Sequence, residues 1–183
     1  MDSPAQVFRR YHHVRQRTTS GCGICSVLMA VSAIRADFIP SSAMETSWLA
    51  QLRRMRGGVP TFEIMRMIDS FDLQMSIWYE DSIHNQDKND PLVRNYIKSL
   101  EHYLSKGSIT MHRENARIDL DLVASELRRG SVVLLNGTVS GVPHMRVCVG
   151  IAGNGLVVAD PLEDASYIVE QASFSHYFNA PHG

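Results

Sequence analysis

The sequence predicts an α+β fold, with a helical lobe built on a buried N-terminal helix and packed on a small antiparallel β-sheet. Three observations predict it. Helical patterning fills the first part of the chain, strand patterning fills most of the rest, and the segment after Gly21 is apolar on nearly every helical face. With 183 residues, 44% apolar and 20% charged, the composition is globular rather than disordered, and residues 1–183 are expected to form a single domain.

Each element has its own signal. From Gly21 to Arg35, the residues Ile24, Cys25, Val27, Leu28, Met29, Val31 and Ile34 mark a helix buried on all sides. Ser42 and Glu45 match the S-x-x-E capping box ahead of Trp48, Leu49 and Leu52, so a second helix is expected there, ended by Gly57 and Gly58. Thr61 is placed as the cap of a third helix carrying Phe62, Ile64, Met65 and Ile68. Leu73, Met75, Ile77 and Tyr79 then alternate as in a strand, and Glu80 to Asp90 reads as a polar loop. A helix from Leu92 to Leu104 closes at Gly107, and a shorter one from Leu122 to Leu127 ends at Gly130, which suits a C′ position. Strands follow at Val132–Leu135, Met145–Val149, Leu156–Ala159 and Tyr167–Val169, with a last helix near Phe174. The stretch Glu80 to Asn115 is long for a connection and is a candidate lid or partner surface.

Charge and cysteine use narrow the function classes. A net charge of −1 gives no basis for charge-driven binding to nucleic acid. Arg9, Arg10, Arg15 and Arg17 form a small basic cluster, read as a solvated face or a docking patch for an acidic partner. No apolar run reaches the roughly 20 residues that span a bilayer, so no membrane insertion is expected. Met1 to Gly21 holds no secretory h-region, and three cysteines make no closed disulfide framework. A cytoplasmic location is expected, with export by a route that cleaves no signal left open.

Cys22 lies between Gly21 and Gly23, where the buried helix begins. The positive end of the helix dipole favours a thiolate there, and the flanking glycines let a substrate backbone approach. Other readings of Cys22 stay open: a small buried apolar residue, a redox pair with Cys25, or part of a metal site with His12, His13 and Cys148. Cys25 is the second candidate nucleophile.

His144 leads the apolar strand Met145–Val149, and Asp160 follows the strand Leu156–Ala159 and precedes Pro161. A Gly-rich turn joins the two strands, so they should pair antiparallel. Parity then constrains the site. A two-residue turn at Asn154-Gly155 puts Asp160 opposite Val149, on the face away from His144. A five-residue loop from Ile151 to Gly155 puts Arg146 opposite Asp160, with His144 its same-face diagonal neighbour, roughly 7–8 Å away at the backbone. A His–Asp pair therefore requires the longer loop or a bulge. Separately, a strand-edge histidine and an Asp-Pro turn are both commonplace; the other seven histidines read as surface residues.

The segment Gln16-Arg17-Thr18-Thr19-Ser20-Gly21-Cys22-Gly23-Ile24-Cys25-Ser26-Val27-Leu28-Met29, with His144-Met145-Arg146-Val147-Cys148-Val149-Gly150-Ile151 and Asp160-Pro161, resembles the bacteriocin-leader-processing (double-glycine) peptidases, a branch of the papain-like superfamily. The resemblance spans most of the chain. It implies a papain-like fold and a cysteine peptidase in which Cys22 is the nucleophile, His144 the general base and then acid, and Asp160 the residue that orients the imidazole. It also implies that Gln16 donates to the oxyanion with the Cys22 N–H. Ser20-Gly21 stands where the family often has an acidic residue, and no transporter follows, so cleavage after a double-glycine leader is not carried over. The implied substrate is a peptide or protein, the chemistry needs no cofactor or metal, and the oligomeric state is left open. The same triad serves a glutamine deamidase or an acyl or γ-glutamyl transferase, including one exported as an effector. The rival of another class is an inactive papain-like binding protein.

Overall fold

Burial gathers the fold around its first long helix. The computed structural model describes residues 7–52, 58–79, 90–107, 109–113, 119–139 and 142–178. In chain order the elements are β1 (Val7–Phe8), α1 (Cys22–Ile34), α2 (Ser42–Gln51), α3 (Thr61–Asp69), β2 (Met75–Tyr79), α4 (Pro91–Lys106), β3 (Ile109–Arg113), α5 (Leu120–Arg128), β4 (Val133–Val139), β5 (Val142–Ala152), β6 (Gly155–Ala159), β7 (Tyr167–Glu170) and α6 (Gln171–Phe178). The fold is α+β, with an antiparallel sheet. The chain divides into two units: Met1–Val59 with Asp119–Gly183, and Pro60–Ile118 between those segments in sequence. Among the described residues, no helix is long and apolar enough to cross a membrane.

In the first unit α1 is buried from Gly23 to Ser32, as its all-round apolar sequence requires, and it packs on β5. β5 organises the sheet. One edge pairs with β6, which pairs with β7; the other edge is taken in turn by β4 (Val142 to Cys148) and by β1 (Gly150 and Ile151), all antiparallel. Val147, Cys148, Val149, Leu156, Val158 and Ala159 are buried, so the inner strands read as continuous apolar runs. Gly150 is where β1 crosses closest: a Cβ there would lie 2.3 Å from the Val7 carbonyl oxygen.

The segment before α1 has little regular structure but many ties. The His12 N–H donates to Ser32 Oγ (2.9 Å), the His13 ring bonds the Glu163 carbonyl (2.8 Å), and the Gln16 N–H donates to the Pro161 carbonyl (2.9 Å). Of the basic cluster, Arg9 bonds the Gly130 carbonyl and Arg15 pairs with Asp164, both at the surface.

Three sequence expectations are corrected. The N-cap of α2 is Ser41, not Ser42, and it makes no side-chain cap bond. Glu45 does not reach back to a cap; it is fully buried and bonded to the loop before α1. The helix also stops at Gln51, ahead of Gly57 and Gly58, and α3 is capped by Pro60 with Thr61 its first residue.

The second unit holds α3, α4 and a parallel pair, β2 and β3. α4 runs between the paired strands in sequence, the length of connection that parallel pairing needs. Met65, Leu100 and Tyr103 form a buried cluster against which Met75, Ile77 and Tyr96 pack, and Lys106 bonds Asp69 at 2.8 Å. Most of the predicted loop Glu80 to Asp90 lies outside the described residues; of the candidate lid, the described part is α4 and β3.

Candidate active site

Cys22 is the first residue of α1, after Gly21 at the N-cap with φ −85° and ψ −9°. The first turn of a helix has backbone N–H groups with no intrahelical acceptor. One of these, on Gly23, hydrogen-bonds the Cys22 sulfur, as do the Met145 N–H and the His144 side chain. Burial alone would raise the thiol pKa, but these donors outweigh it and hold Cys22 below the ordinary thiol value.

His144 and Asp160 meet because β5 carries a bulge. The β5–β6 turn is two residues, Gly153-Asn154, with Gly153 at φ +60° in the first central position. Of the two arrangements that allow a His–Asp pair, the chain thus uses the bulge and not the five-residue loop. Pairing runs Ala152 to Gly155, Ile151 to Leu156 and Gly150 to Val157, then skips Val149 and resumes with Cys148 on Val158 and Val147 on Ala159. One extra residue reverses parity for everything beyond it. Continued one step, that register sets Arg146 opposite Asp160, and both Arg146 and His144 turn onto the Asp160 face.

The contacts follow. His144 Nε2 bonds Asp160 Oδ1 at 2.7 Å, which leaves Nδ1 for the hydrogen bond to Cys22. Asp160 Oδ1 also accepts the Leu162 N–H at 2.9 Å. Its other oxygen accepts Arg146 Nε at 2.6 Å and, at a longer 3.4 Å, the Tyr167 hydroxyl. His144, Arg146 and Asp160 are all at most 5% exposed, so these bonds form away from water, where an unpaired charge is costly. Burial would push the Asp160 carboxyl up; the bonds from His144, Leu162 and Arg146 instead hold it at about 2. For His144 burial works against the charged ring, yet its bonds to Asp160 and Cys22 raise it to about 9. Together these shifts favour a thiolate–imidazolium pair oriented by a carboxylate.

The remaining sequence candidates are placed as follows. Gln16 is half-buried; its Nε2 donates to the Thr18 carbonyl at 3.1 Å, and its Oε1 is buried with no partner among the described residues. Its backbone bond to Pro161 sets it beside the Asp160–Pro161 turn, but no contact of Gln16 with Cys22 or His144 is described. Cys25 and Cys148 are fully buried, and burial raises both thiols well above their ordinary value, Cys25 also through the Glu45 carboxylate. Among the described residues, no three His, Cys, Asp or Glu side chains gather as metal ligands.

Two residues at the site escaped the sequence reading. Ser26 Oγ donates to the Met145 carbonyl at 2.9 Å, tying α1 to β5 at the residue after His144. The signal was present: a serine on a helix apolar on nearly every face must find an acceptor inside. Glu45 was hidden by a local motif that assigned it a different partner. Compared with protein-family models and with curated proteins, the chain matches none.

Proposed function

We propose that this chain is a papain-like cysteine peptidase or amidase. The observation that carries the reading is the hydrogen-bonded chain from the half-buried Cys22 through the buried His144 to the buried Asp160. The thiolate attacks the carbonyl carbon of a peptide or amide, and the resulting oxyanion is met by the Cys22 N–H and the second N–H of the Gln16 carboxamide. His144, as imidazolium, gives its proton to the leaving amine as the C–N bond breaks and an acyl-thioester remains. Water then attacks the thioester while His144 takes its proton, releasing the acid and the free thiolate. Asp160 holds the ring with Nδ1 toward the sulfur through both steps. An amine in place of water would give acyl transfer, and a glutamine side chain as substrate would give deamidation.

The test is iodoacetamide labelling against pH, with peptide mapping, on wild type, Cys22→Ala and His144→Ala. Fast labelling at Cys22 below pH 7 that slows about tenfold or more in His144→Ala supports the dyad. Labelling at Cys22 no faster than that of a free thiol would refute it, and would favour a binding protein on the same fold.

A further inference from the structure

We propose that Glu45 is a positioning residue for the loop before the nucleophile, setting the oxyanion donors through Thr18. The inference rests on the reading of Cys22 as nucleophile and of Gln16 and the Cys22 N–H as oxyanion donors.

Glu45 is 0% exposed, and both of its carboxylate oxygens face that loop. Oε2 accepts the Arg17 N–H at 2.9 Å; Oε1 accepts the Thr18 N–H at 3.2 Å and the Thr18 hydroxyl at 2.8 Å. The carboxylate is also pressed against the start of α1. A Cβ on Gly21 would lie 1.9 Å from Glu45 Oε1, so a larger residue where the loop enters the helix would push the carboxylate from its place. Thr18 passes the constraint on, because its carbonyl accepts from Gln16 Nε2 at 3.1 Å and from the Gly21 N–H at 3.3 Å. One side chain from α2 thus fixes Thr18, and Thr18 fixes both the Gln16 amide and the residue before Cys22.

A carboxylate suits this place for a chemical reason. Three donors converge on two oxygens, and the Cys25 thiol bonds the same group. A carboxamide of equal shape has a single acceptor atom and would aim its own N–H groups at one of those donors. Burying a carboxylate is costlier than burying an apolar side chain, so a site needing only bulk is better filled by leucine or methionine. Apart from the Cys25 thiol on α1, the donors satisfied here belong to the loop that carries Gln16.

Two reactions of the same sulfur separate positioning from general support. Alkylation by iodoacetamide is displacement at a saturated carbon and forms no oxyanion. With p-nitrophenyl acetate, the Cys22 thiolate forms a bond to the acetyl carbon, a tetrahedral oxyanion develops, and the ester C–O bond breaks to release p-nitrophenolate. Both rates are measured for wild type, Glu45→Gln and Thr18→Val. Acylation is expected to fall about tenfold or more in Glu45→Gln and about fivefold in Thr18→Val, with alkylation within about twofold of wild type. If acylation and alkylation fall together, or acylation is unchanged, Glu45 has no positioning role. Thr18→Val is nearly isosteric and keeps the carboxylate, so it decides the matter alone if Glu45→Gln does not fold. Failure of the wild type to alkylate rapidly or to acylate at Cys22 would instead overturn the triad reading itself.

Discussion

At the scale of single residues, the three shifted groups Cys22, His144 and Asp160 bear on stability in ways that partly cancel. Asp160 is depressed to about 2 from an ordinary 3.8, so its contribution is whole above pH 4 and is lost as pH falls through about 2. A shift of that size is worth on the order of 2 kcal/mol. His144 is raised to about 9, so its contribution is whole below 6.5 and is lost as pH rises through 9. Cys22 is lowered from 9.0, so its contribution grows as pH rises toward 9. Above 6.5 the loss from His144 and the gain from Cys22 run in opposite directions. They offset one another in part, and wild-type stability should change less between 6.5 and 9 than the His144 shift alone would make it. In Cys22→Ala the thiol is gone while Asp160 still raises His144, so stability should decline over the upper part of the same window. Urea midpoints from pH 3 to 9.5 check both, and a Cys22→Ala curve as flat as wild type would mean the ring is not raised by Asp160. Asp160→Asn should be worse than either: it leaves Arg146 without its buried carboxylate, a change that typically costs about 3–5 kcal/mol.

At the scale of elements, the site depends on how α1 and β5 are held together and on the bulge. Ser26→Ala removes the tie between α1 and the residue after His144. It should cost about 1 kcal/mol in urea denaturation and also slow Cys22 alkylation, because the His144 ring is no longer fixed against the sulfur. Gly150→Ala acts elsewhere. Its Cβ would meet backbone, the Val7 carbonyl and Phe8 Cα, rather than a side chain that could swing away. We expect a loss of about 1–3 kcal/mol and early exchange of the Arg9 amide, whose partner is the Val149 carbonyl at 3.0 Å. The sequence made part of this legible. Gly21 to Arg35 maps onto α1 within a residue at each end, because an apolar stretch of that length is too long for a buried strand and fits a buried helix. Parity also identified the condition for a His–Asp pair, a longer loop or a bulge. It did not say which, since Val149 looks like any other strand valine. β1 was missed because two residues carry no period, and β3 because Ile109 and Met111 are its only apolar residues. Glu45 was misread for a different reason: its partners are 27 and 28 residues away, and only the local S-x-x-E pattern was visible.

At the scale of the whole molecule, every residue of the candidate site lies in the unit formed by Met1–Val59 and Asp119–Gly183. The two units differ in how their strands are secured. β5 is paired on both edges and lies under α1, with Val147, Cys148 and Val149 fully buried. β2 and β3 form a two-stranded sheet, an arrangement that is marginal without further packing. A domain of about 60 residues also buries a smaller share of its surface than a larger one. The second unit should therefore open at lower free energy than the first. Hydrogen exchange on the native protein in rising urea tests this, with the β2 and β3 amides expected to exchange before those of β5 and β6. Cys25 and Cys148 provide an independent clock, since both are 0% exposed and react with a thiol reagent only when the first unit opens. The expected order is exchange in β2 and β3 first, labelling of Cys25 and Cys148 later, and Cys22 reactive throughout. Exchange and labelling with one common urea dependence would mean instead that the two units unfold together, and that the integrity of residues 60–118 limits the lifetime of the candidate site.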